Sequence, residues 1–479
     1  MAAEQTGFII ISLRHDRFDA LLHKGDDLRE LARQGGAADL QRILEEYPDY
    51  RVERVVTSVP PERIRDLERQ AEKRGVRRER SLTSFWRLDA RKPDQRRECF
   101  ERLTKTDSIE QVYYEVAGSD PHVDPTDDVF AIQQEHLNPA PVGIDARWAW
   151  MQPHGSGASV GFVDLEQGWN FAHEDLPVIA ALPGVPQDVN TNSVRHGTGV
   201  MGIAVGVDNK VGIIGAAPNP AWASVASHYR TADGTEGHVA NALTAVLASG
   251  SLSTGDVVLI EYQFNNQPAE TDPVVWIAID LATALGMIVV EPAGNGNGDL
   301  DAVPELNRSY PATFKDSRAI IVGGCHSALN PTGVGHDRWV YPNPPPPPFP
   351  TPGSNWGSRV DCYAYAENVV TAGETPNPLA LLGGTGPNDS YRSDFGGTSA
   401  AAAIVAGAAL VVQGMHKAVK RAPLDPVDMR TALSTWGTPQ GPGTAAQNIG
   451  VMPNLKRIAH ALDLVAAPPA PPTNLRIQR

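Results

Sequence analysis

Apolar runs of strand length recur along the chain from about residue 141 onward. They are ASVGFVDL, DVVLIEY, GMIVVEPAG and AIIVGGC. Each run is nearly continuous rather than alternating, which is typical of strands buried on both faces of a parallel sheet. Between these runs, the stretches 197–204, 238–248 and 273–285 are predicted to be helices. The pattern predicts an α/β domain over 141–465, with helices on both faces of a mostly parallel sheet and therefore three layers.

The first part of the chain, residues 1–118, has a different pattern. Four short segments predict strands: GFIIISLR, RVERVV, SLTSFWRLDA and EQVYYEVA. Amphipathic spacing over 26–47, 61–75 and 94–104 predicts helices between them. The segment 61–75 begins with Pro and ends with Gly, which are the residues favoured at those two helix positions. The alternation predicts a small, separate α+β domain.

Proline and aspartate mark the segments expected to lie outside both domains. SDPHVDPTDD in 119–140 has turn residues and no apolar periodicity, which predicts a linker. NPPPPPFPTPG, from Asn343, is expected to form a stiff surface loop or to be bound by a proline-recognition domain. The Pro-rich segment 466–479 is expected to be a loosely held tail.

The bulk composition limits the class of protein and its partners. The 479 residues are 41% hydrophobic and 20% charged, which is typical of a soluble globular protein. A net charge of -15 argues against nucleic acid as a partner. The longest apolar stretch, Ala400–Val412, is too short to cross a membrane, so no membrane partner is expected. No basic region precedes the apolar run Gly7–Leu13, so no signal peptide is seen. The protein could be cytoplasmic, or secreted after removal of a signal, and the compartment stays open.

The cysteines are few. Cys99, Cys325 and Cys362 are too few for a disulfide framework and show no zinc-ligand spacing. Cys325 and Cys362 could pair if their strands are neighbours, or both could be free buried thiols.

Two segments carry a potential nucleophile and base. Ser399 follows Gly-Gly-Thr and precedes an Ala/Gly-rich apolar helix, where free backbone N–H groups and the helix dipole favour negative charge. A nucleophile whose attack creates an oxyanion needs those groups, although a plain helix cap has the same residues. His196 precedes Gly-Thr-Gly and another apolar run, so it is also expected where a loop enters a buried helix.

Two further polar residues follow predicted strands. Asp164 closes the apolar run Val160–Val163, at the end of a strand where active sites collect in open α/β sheets. There it could orient a histidine, or be a solvated turn residue. Asn295 follows another strand in a Gly-rich turn and could donate to an oxyanion. The order Asp, His, Asn, Ser places the three triad residue types in one of the known triad orders.

The four segments together resemble the subtilisin-like serine proteases, or subtilases. FVDLEQGW resembles the family's catalytic Asp segment, RHGTGVMGI its His segment, EPAGNGNG its oxyanion Asn segment and GGTSAAAA its nucleophile segment. The resemblance implies that Asp164 orients His196, that His196 is general base and then acid, and that Ser399 attacks. Asn295 and the backbone N–H of Ser399 would form the oxyanion hole. Protein or peptide substrates are implied, and no cofactor or metal is implied for the chemistry.

The sequence also departs from the family pattern. The family's Asp-Thr-Gly or Asp-Ser-Gly is here Asp164-Leu165-Glu166, and Gly199 stands where a second His is usual. Ala403 stands in place of a Pro after the nucleophile. Glu166 is expected to change the electrostatics near Asp164. These changes leave open a catalytically silent binding module, and esterase activity on the same triad is a further alternative.

The resemblance also assigns substrate-binding segments. The family's Ser-Leu-Gly strand corresponds to Glu261-Tyr262-Gln263, and the opposite wall of the pocket to Glu291, Pro292 and Gly294. Two carboxylates, of Glu261 and Glu291, predict a preference for basic residues at P1 or P2, unless either is turned away and bonded structurally.

Two accessory features are implied by the family alone. Subtilases usually carry an N-terminal propeptide of small α+β, ferredoxin-like fold, which assists folding and inhibits the enzyme. Residues 1–118 have the corresponding size and position, which predicts a zymogen that cleaves itself within 117–124; a permanent accessory domain is the alternative. Subtilases often bind structural calcium, for which Asp299 and Asp301 are candidates, although the EF-hand spacing is absent.

Overall fold

The computed structural model describes residues 5–23, 25–74, 80–90, 93–116, 123–181, 187–228, 238–341 and 351–465. By its internal contacts the chain divides into two compact units, Met1–Gly118 and Ser119–Arg479.

The first unit consists of a four-stranded antiparallel sheet and helices. Its strands are β1 (Gln5–Leu13), β2 (Val52–Arg54), β3 (Phe85–Asp89) and β4 (Ile109–Val116). Its helices are α1 (His15–Phe18), α2 (Leu28–Gln34), α3 (Ala38–Glu46), α4 (Pro61–Lys73) and α5 (Pro93–Leu103). The strand order β2-β3-β1-β4, antiparallel throughout, is that of the ferredoxin-like fold. The predicted α+β, ferredoxin-like domain is therefore confirmed, with its own core around Ile9, Ile11 and Trp86.

The single helix predicted over 26–47 is two helices. Helices α2 and α3 are separated at Gly35 and Gly36, and Gly36 has φ of +64°. This left-handed conformation ends a helix and costs glycine little. Leucines from both helices still face one core, which explains the continuous apolar spacing.

The second unit is organised by a nine-stranded sheet. Its strands are β5 (Gly161–Glu166), β6 (Ile179–Ala181), β7 (Trp222–Ser227), β8 (Val257–Ile260), β11 (Ile288–Pro292), β12 (Ile320–Cys325), β13 (Cys362–Tyr365), β17 (Gly437–Pro439) and β18 (Val451–Pro453). The order is β17-β18-β13-β12-β11-β8-β5-β7-β6, and every neighbouring pair is parallel except β17–β18. Two smaller antiparallel sheets are formed by β9 (Gln263–Phe264) with β10 (Gln267–Pro268), and by β14 (Val369–Ala372), β15 (Leu381–Leu382) and β16 (Tyr391–Phe395).

Helices cover both faces of this sheet. They are α6 (Ala146–Ala149), α7 (Thr191–Val205), α8 (Val239–Ala248), α9 (Pro273–Ala284), α10 (Gly397–Lys420), α11 (Pro426–Thr435) and α12 (Leu455–Ala461). Alternate side chains of the strands join α7 and α10–α12 in one core, and the others join α8 and α9 in a second core. The predicted three-layer α/β domain is confirmed.

The central helix of this unit is α10. Its 24 residues are long and apolar enough to cross a membrane, so the prediction that no stretch reaches that length is wrong. However, 94% of its most apolar window is buried inside the protein. Its small side chains, Ala400–Ala403 among them, allow close packing on α7 and the sheet.

The segment predicted as a linker begins the second unit. Val123, Ala131 and Leu137 are buried in its main core. The Gln134 side chain donates to Ile214 O and accepts from Ile214 N, both at 2.9 Å. The linker prediction is therefore wrong for 123–140: short 3₁₀ turns bury apolar residues there without regular periodicity. The rest of that segment, most of the Pro-rich stretch after Asn343 and the tail 466–479 lie outside the described residues.

The three cysteines are free and buried. Strands β12 and β13 are neighbours, but Cys362 pairs with Val322 and Cys325 with Tyr365. This register separates the two thiols along the sheet, and thus Cys325 and Cys362 are the free buried thiols of the second alternative.

Candidate active site

The site lies where the strand order of the large sheet reverses direction. From β5 the chain proceeds to β6 at the edge and back to β7 on one side, and then to β8, β11, β12 and β13 on the other side. A crevice forms outside the carboxyl ends of strands at such a switch point, and ligands commonly bind there. The ends of β5 and β8 place Glu166 and Glu261 at this crevice.

Alternation along β5 selects which of its residues can reach the site. Phe162 packs in the core under α7 and α10, whereas Val163 and Leu165 pack under α8 and α9. Because strand side chains alternate between faces, Asp164 and Glu166 point to the same side as Phe162. This is the side on which α7 carries His196. Glu166 is the last residue of the strand, and Asp164 lies two residues deeper.

The carboxylate that holds His196 is that of Glu166. His196 Nδ1 lies 2.7 Å from Glu166 Oε1 and 2.8 Å from Oε2. Asp164 instead accepts a hydrogen bond from Trp169 Nε1 at 2.7 Å through Oδ2, and its Oδ1 has no partner among the described residues. The prediction that Asp164 orients His196 therefore disagrees with the geometry. The apolar run ends at Val163, but the strand continues three residues further to Glu166.

Burial sets the electrostatics of this group. Asp164 and Glu166 are almost inaccessible to solvent, and burial raises the pKa of both well above the usual range for carboxyl groups. The neighbouring Glu166 raises the pKa of Asp164 further, while the Trp169 hydrogen bond opposes the shift. Burial lowers the pKa of His196, although solvent reaches 40% of its side chain and moderates this effect. A neutral imidazole, which can accept a proton, is favoured.

Ser399 and Asn295 are brought together at the start of α10. Ser399 lies in the first turn of the helix, after Gly397 with φ of +77°. Thr398 donates its backbone N–H to Asn295 Oδ1 at 2.9 Å, and its hydroxyl donates to the same oxygen at 3.0 Å. A backbone N–H is only a donor, so the atom facing it must be the amide oxygen. The Asn295 NH₂ group is thereby turned away from Thr398 and left to donate elsewhere.

Glu261 adds a third carboxyl group beside the nucleophile. It is 7% exposed, and neither carboxyl oxygen completes a hydrogen bond with any described residue. Burial raises its pKa well above the usual range, and Glu166 and Asp164 raise it further, whereas His196 and the nearby Ser399 hydroxyl lower it. Glu261 therefore belongs to the charge balance around His196 and Ser399.

A pocket of about 340 Å³ joins these residues. It is lined by Glu166, Gln167, Ser193, His196, Glu261, Tyr262, Gln263, Pro292, Asn295 and Ser399. All the predicted site residues line it except Asp164, Glu291 and Gly294. A Cβ on Gly294 would lie 2.3 Å from Asn266 O, so Gly294 faces Asn266.

Glu291 was predicted to bind substrate, but it does not line the pocket. Its Oε2 accepts the backbone N–H of Glu270 at 3.0 Å, and it is fully buried near the ion pair between Glu270 and Arg359. The reason is alternation along β11: Pro292 faces the pocket, so Glu291 must face the opposite layer. Of the two carboxylates predicted to select basic residues, only Glu261 lines the pocket.

The described residues contain one acidic cluster suited to a cation, and it is not the predicted one. Asp127, Asp128 and Asp208 place carboxylate oxygens within 4.8 Å of one another. Asp128 is 2% exposed, neither of its oxygens has a hydrogen-bond partner among the residues that the structure describes, and burial raises its pKa to about 7. In contrast, Asp299 caps a short helix by accepting from Asp301 N, and Asp301 accepts from Ser358. Those two carboxylates are engaged in holding their loop.

The sequence did contain a signal for Glu166. Glu166-Gln167-Gly168 has the acid-x-Gly form of the family's Asp-Ser-Gly, with Glu in place of Asp. The structure also accounts for Gly199: a Cβ there would lie 2.6 Å from the Phe395 ring, so no larger side chain fits.

A three-layer α/β unit with a histidine–carboxylate pair, a serine at a helix start and an oriented amide defines a serine hydrolase site. The Subtilase family model matches residues 179–451, more than half of the chain, and covers His196, Asn295 and Ser399. The chain therefore belongs to the subtilase family and is a subtilisin-like serine endopeptidase.

The chain is also similar to individual known proteins. Subtilisin DY from Bacillus licheniformis is 26% identical over 60% of this chain and 86% of its own length. Subtilisin from Bacillus pumilus is 24% identical over 54% and 79%, and Mycosin-1 from Mycobacterium tuberculosis is 28% identical over 45% and 52%. Among solved structures, a protease from Pseudoalteromonas arctica is 20% identical, with a TM-score of 0.47, over 71% of this chain and all of that one.

Proposed function

We propose that the chain cleaves peptide bonds with Ser399 as nucleophile, His196 as general base and Glu166 as the acidic member of the triad. The observation that carries this assignment is the contact of both Glu166 oxygens with His196 Nδ1, at 2.7 and 2.8 Å. An acid at Nδ1 keeps the proton there, so Nε2 is free to accept the proton of Ser399. Glutamate fills this role in other Ser-His-acid hydrolases.

The steps follow from this arrangement. Ser399 Oγ attacks the scissile carbonyl carbon as its proton passes to His196 Nε2, and the resulting imidazolium is stabilised by ionised Glu166. The carbonyl oxygen becomes an oxyanion, which accepts from the Asn295 NH₂ group and the Ser399 backbone N–H. His196 then gives its proton to the leaving amine. Water, deprotonated by His196, hydrolyses the acyl-enzyme. Ser399 and His196 both line the pocket. A hydrogen bond between a catalytic nucleophile and its base commonly tightens only when substrate binds.

Labelling with a serine-reactive phosphonate tests the proposal. The wild-type chain should carry the label on Ser399, and Ser399→Ala should carry none. Ser434→Ala, on helix α11 and outside the pocket, is the matched control and should label like the wild type. Hydrolysis of a denatured protein substrate should follow the same pattern. Label that persists in Ser399→Ala, or stays absent from the wild type, would contradict the assignment of the nucleophile.

We also propose that residues 1–118 act as the chain's own inhibitor and folding assistant, in a zymogen that cleaves itself. The unit has a complete core and a ferredoxin-like sheet, and its last strand, β4, is an edge strand. Val123 is buried in the catalytic unit and Asp124 N donates to Asp208 at 3.0 Å. Cleavage is therefore expected before Val123, within the part of 117–124 that lies outside the described residues.

Intact mass after incubation tests self-cleavage, with Ser399→Ala prepared identically. Loss of the N-terminal unit from the wild type only would support a zymogen. Two chains that remain whole, although the wild type labels with phosphonate, would instead support a permanent accessory domain. Equal cleavage of both would show that a contaminating protease is acting.

Structural calcium fits the cluster of Asp127, Asp128 and Asp208 rather than Asp299 and Asp301. Hard cations such as Ca²⁺ prefer carboxylate oxygens. Asp128 offers two oxygens that no described residue satisfies, and bound calcium would supply their missing partner. Asp208 also accepts from the backbone of Asp124, so the ion would fasten the start of the catalytic unit.

A further inference from the structure

The two sides of the pocket hold different parts of the substrate. His196 must protonate the leaving amine, so the leaving group lies on the side of His196 and Gln167. Asn295 holds the carbonyl oxygen from the other side. P1, the residue that contributes the scissile carbonyl, is bonded to the carbon that carries this oxygen, so we expect its side chain beside Asn295, where Gln263 and Pro292 also line the pocket.

That space is crossed by the chain's own glutamine. Gln263 Oε1 accepts the backbone N–H of Asn295 at 2.9 Å. Its Nε2 donates to Asn266 Oδ1 at 3.2 Å. The side chain thus spans the gap from β9 to the segment after β11, with both ends of its amide engaged. We call this bridge, formed by Gln263 and Asn266, the glutamine latch.

The latch rests on a tight, hydrogen-bonded turn. Asn265 and Asn266 have φ of +49° and +60°, and they join β9 to β10 in a two-residue hairpin. These are the conformations of a type I′ turn, which matches the strand twist. Asn355 Nδ2 donates to Asn266 O at 2.6 Å and to Ala293 O at 2.8 Å, which fixes the turn to the opposite wall.

We propose that the glutamine latch closes the P1 pocket and makes this enzyme select small P1 residues such as Gly, Ala and Ser. This inference rests on the proposed function of Ser399 and Asn295. A large P1 side chain would have to displace Gln263 and break its bonds to Asn295 and Asn266. The hydrogen bond between Gln263 and Asn295 N–H is partly buried, so its loss without a replacement partner would weigh against large P1 residues.

The test is the P1 profile of the enzyme, prepared from the full-length chain, on peptide p-nitroanilides that differ only in Ala, Leu, Phe or Lys at P1. The wild type should favour Ala over Phe in kcat/KM. Gln263→Gly should shift the Phe-to-Ala ratio toward Phe by at least about tenfold, the effect of one methylene or more in such a pocket. Gln263→Ala should shift it less. Gln263→Glu keeps the size and the acceptor for Asn295 N–H, so it should preserve the small-residue preference.

Gln267→Ala is the matched control, because Gln267 lies on the same hairpin outside the pocket. A general weakening of the hairpin would lower the rates on all substrates together, whereas removal of the latch changes their ratio. A wild-type preference for Phe or Lys, or an unchanged ratio in both Gln263→Gly and Gln263→Ala, would overturn the inference. Phosphonate labelling of each variant separates the two proposals: an enzyme that labels but keeps its profile refutes only the latch, and one that never labels refutes both.

Discussion

Replacing Glu166 by glutamine should inactivate the enzyme far more than replacing Asp164 by asparagine. Gln has nearly the same shape as Glu but carries an NH₂ group. At 2.7–2.8 Å from Nδ1, that group can donate to the ring nitrogen, which moves the imidazole proton to Nε2. His196 could then no longer accept the proton of Ser399. The same change of tautomer in a Ser-His-Asp triad lowers kcat by about 10⁴-fold, and we expect a loss of that order.

Asp164→Asn should be mild by comparison. Asparagine keeps a carbonyl oxygen that can accept from Trp169 Nε1, and position 164 makes no hydrogen bond to His196. Only a neutral hydrogen-bond pattern changes, which is worth about 1 kcal/mol, so the loss should stay within about tenfold.

Active-site-titrated kcat and kcat/KM at pH 8 would decide the matter, with thermal unfolding to show that both variants fold. Glu166→Asp, which keeps the charge but shortens the reach, should lie between the two. If Asp164→Asn loses as much activity as Glu166→Gln, or if only Asp164→Asn is inactive, the triad assignment argued from the structure is wrong.

Three other outcomes follow from the same geometry. Glu261→Gln should move the acid limb of the kcat/KM profile to lower pH, because loss of a nearby negative charge lowers the pKa of His196; a limb that moves upward would contradict this. Chelation of calcium should lower the Tm more at pH 8 than at pH 5, because burial raises the pKa of Asp128 to about 7 and a protonated carboxyl binds calcium poorly; Asp128→Asn should be insensitive to chelator. Gly199→Ala should destabilise by about 1–3 kcal/mol through overpacking against Phe395, measured by urea unfolding, whereas an unchanged midpoint would show that Phe395 moves freely.

Much of the molecule could be predicted because its signals are local. Continuous apolar runs identified the buried parallel strands, and the four motif segments identified the family. The positions that were missed depend on where a strand ends and which face a residue takes. The run before Asp164 indicated a strand end at Val163, yet polar residues extend the strand to Glu166, since their carboxylates find Trp169 and His196 as partners.

The error at Glu291 has a related cause. Resemblance to a family assigns a segment to a pocket wall, but alternation decides which of its residues reach the pocket. Val290 packs beneath α10, so the parity of β11 turns Pro292 toward the site and Glu291 away from it. The glutamine latch could not be predicted for a different reason. The strands joined by Asn265 and Asn266 are two residues long, too short to show the alternating pattern of a strand.

Three carboxyl groups surround one histidine, and they cannot all be ionised at once. Asp164, Glu166 and Glu261 are buried, and burial raises the pKa of each, so ionising all three would leave two negative charges without a cation. Only Glu166 contacts the imidazole directly, and an imidazolium there compensates one negative charge. The arrangement is therefore most stable with Glu166 ionised and with Asp164, which accepts from Trp169 instead of contacting His196, protonated. Catalysis needs that same distribution, because the imidazolium formed during attack must face a single ionised partner at Nδ1.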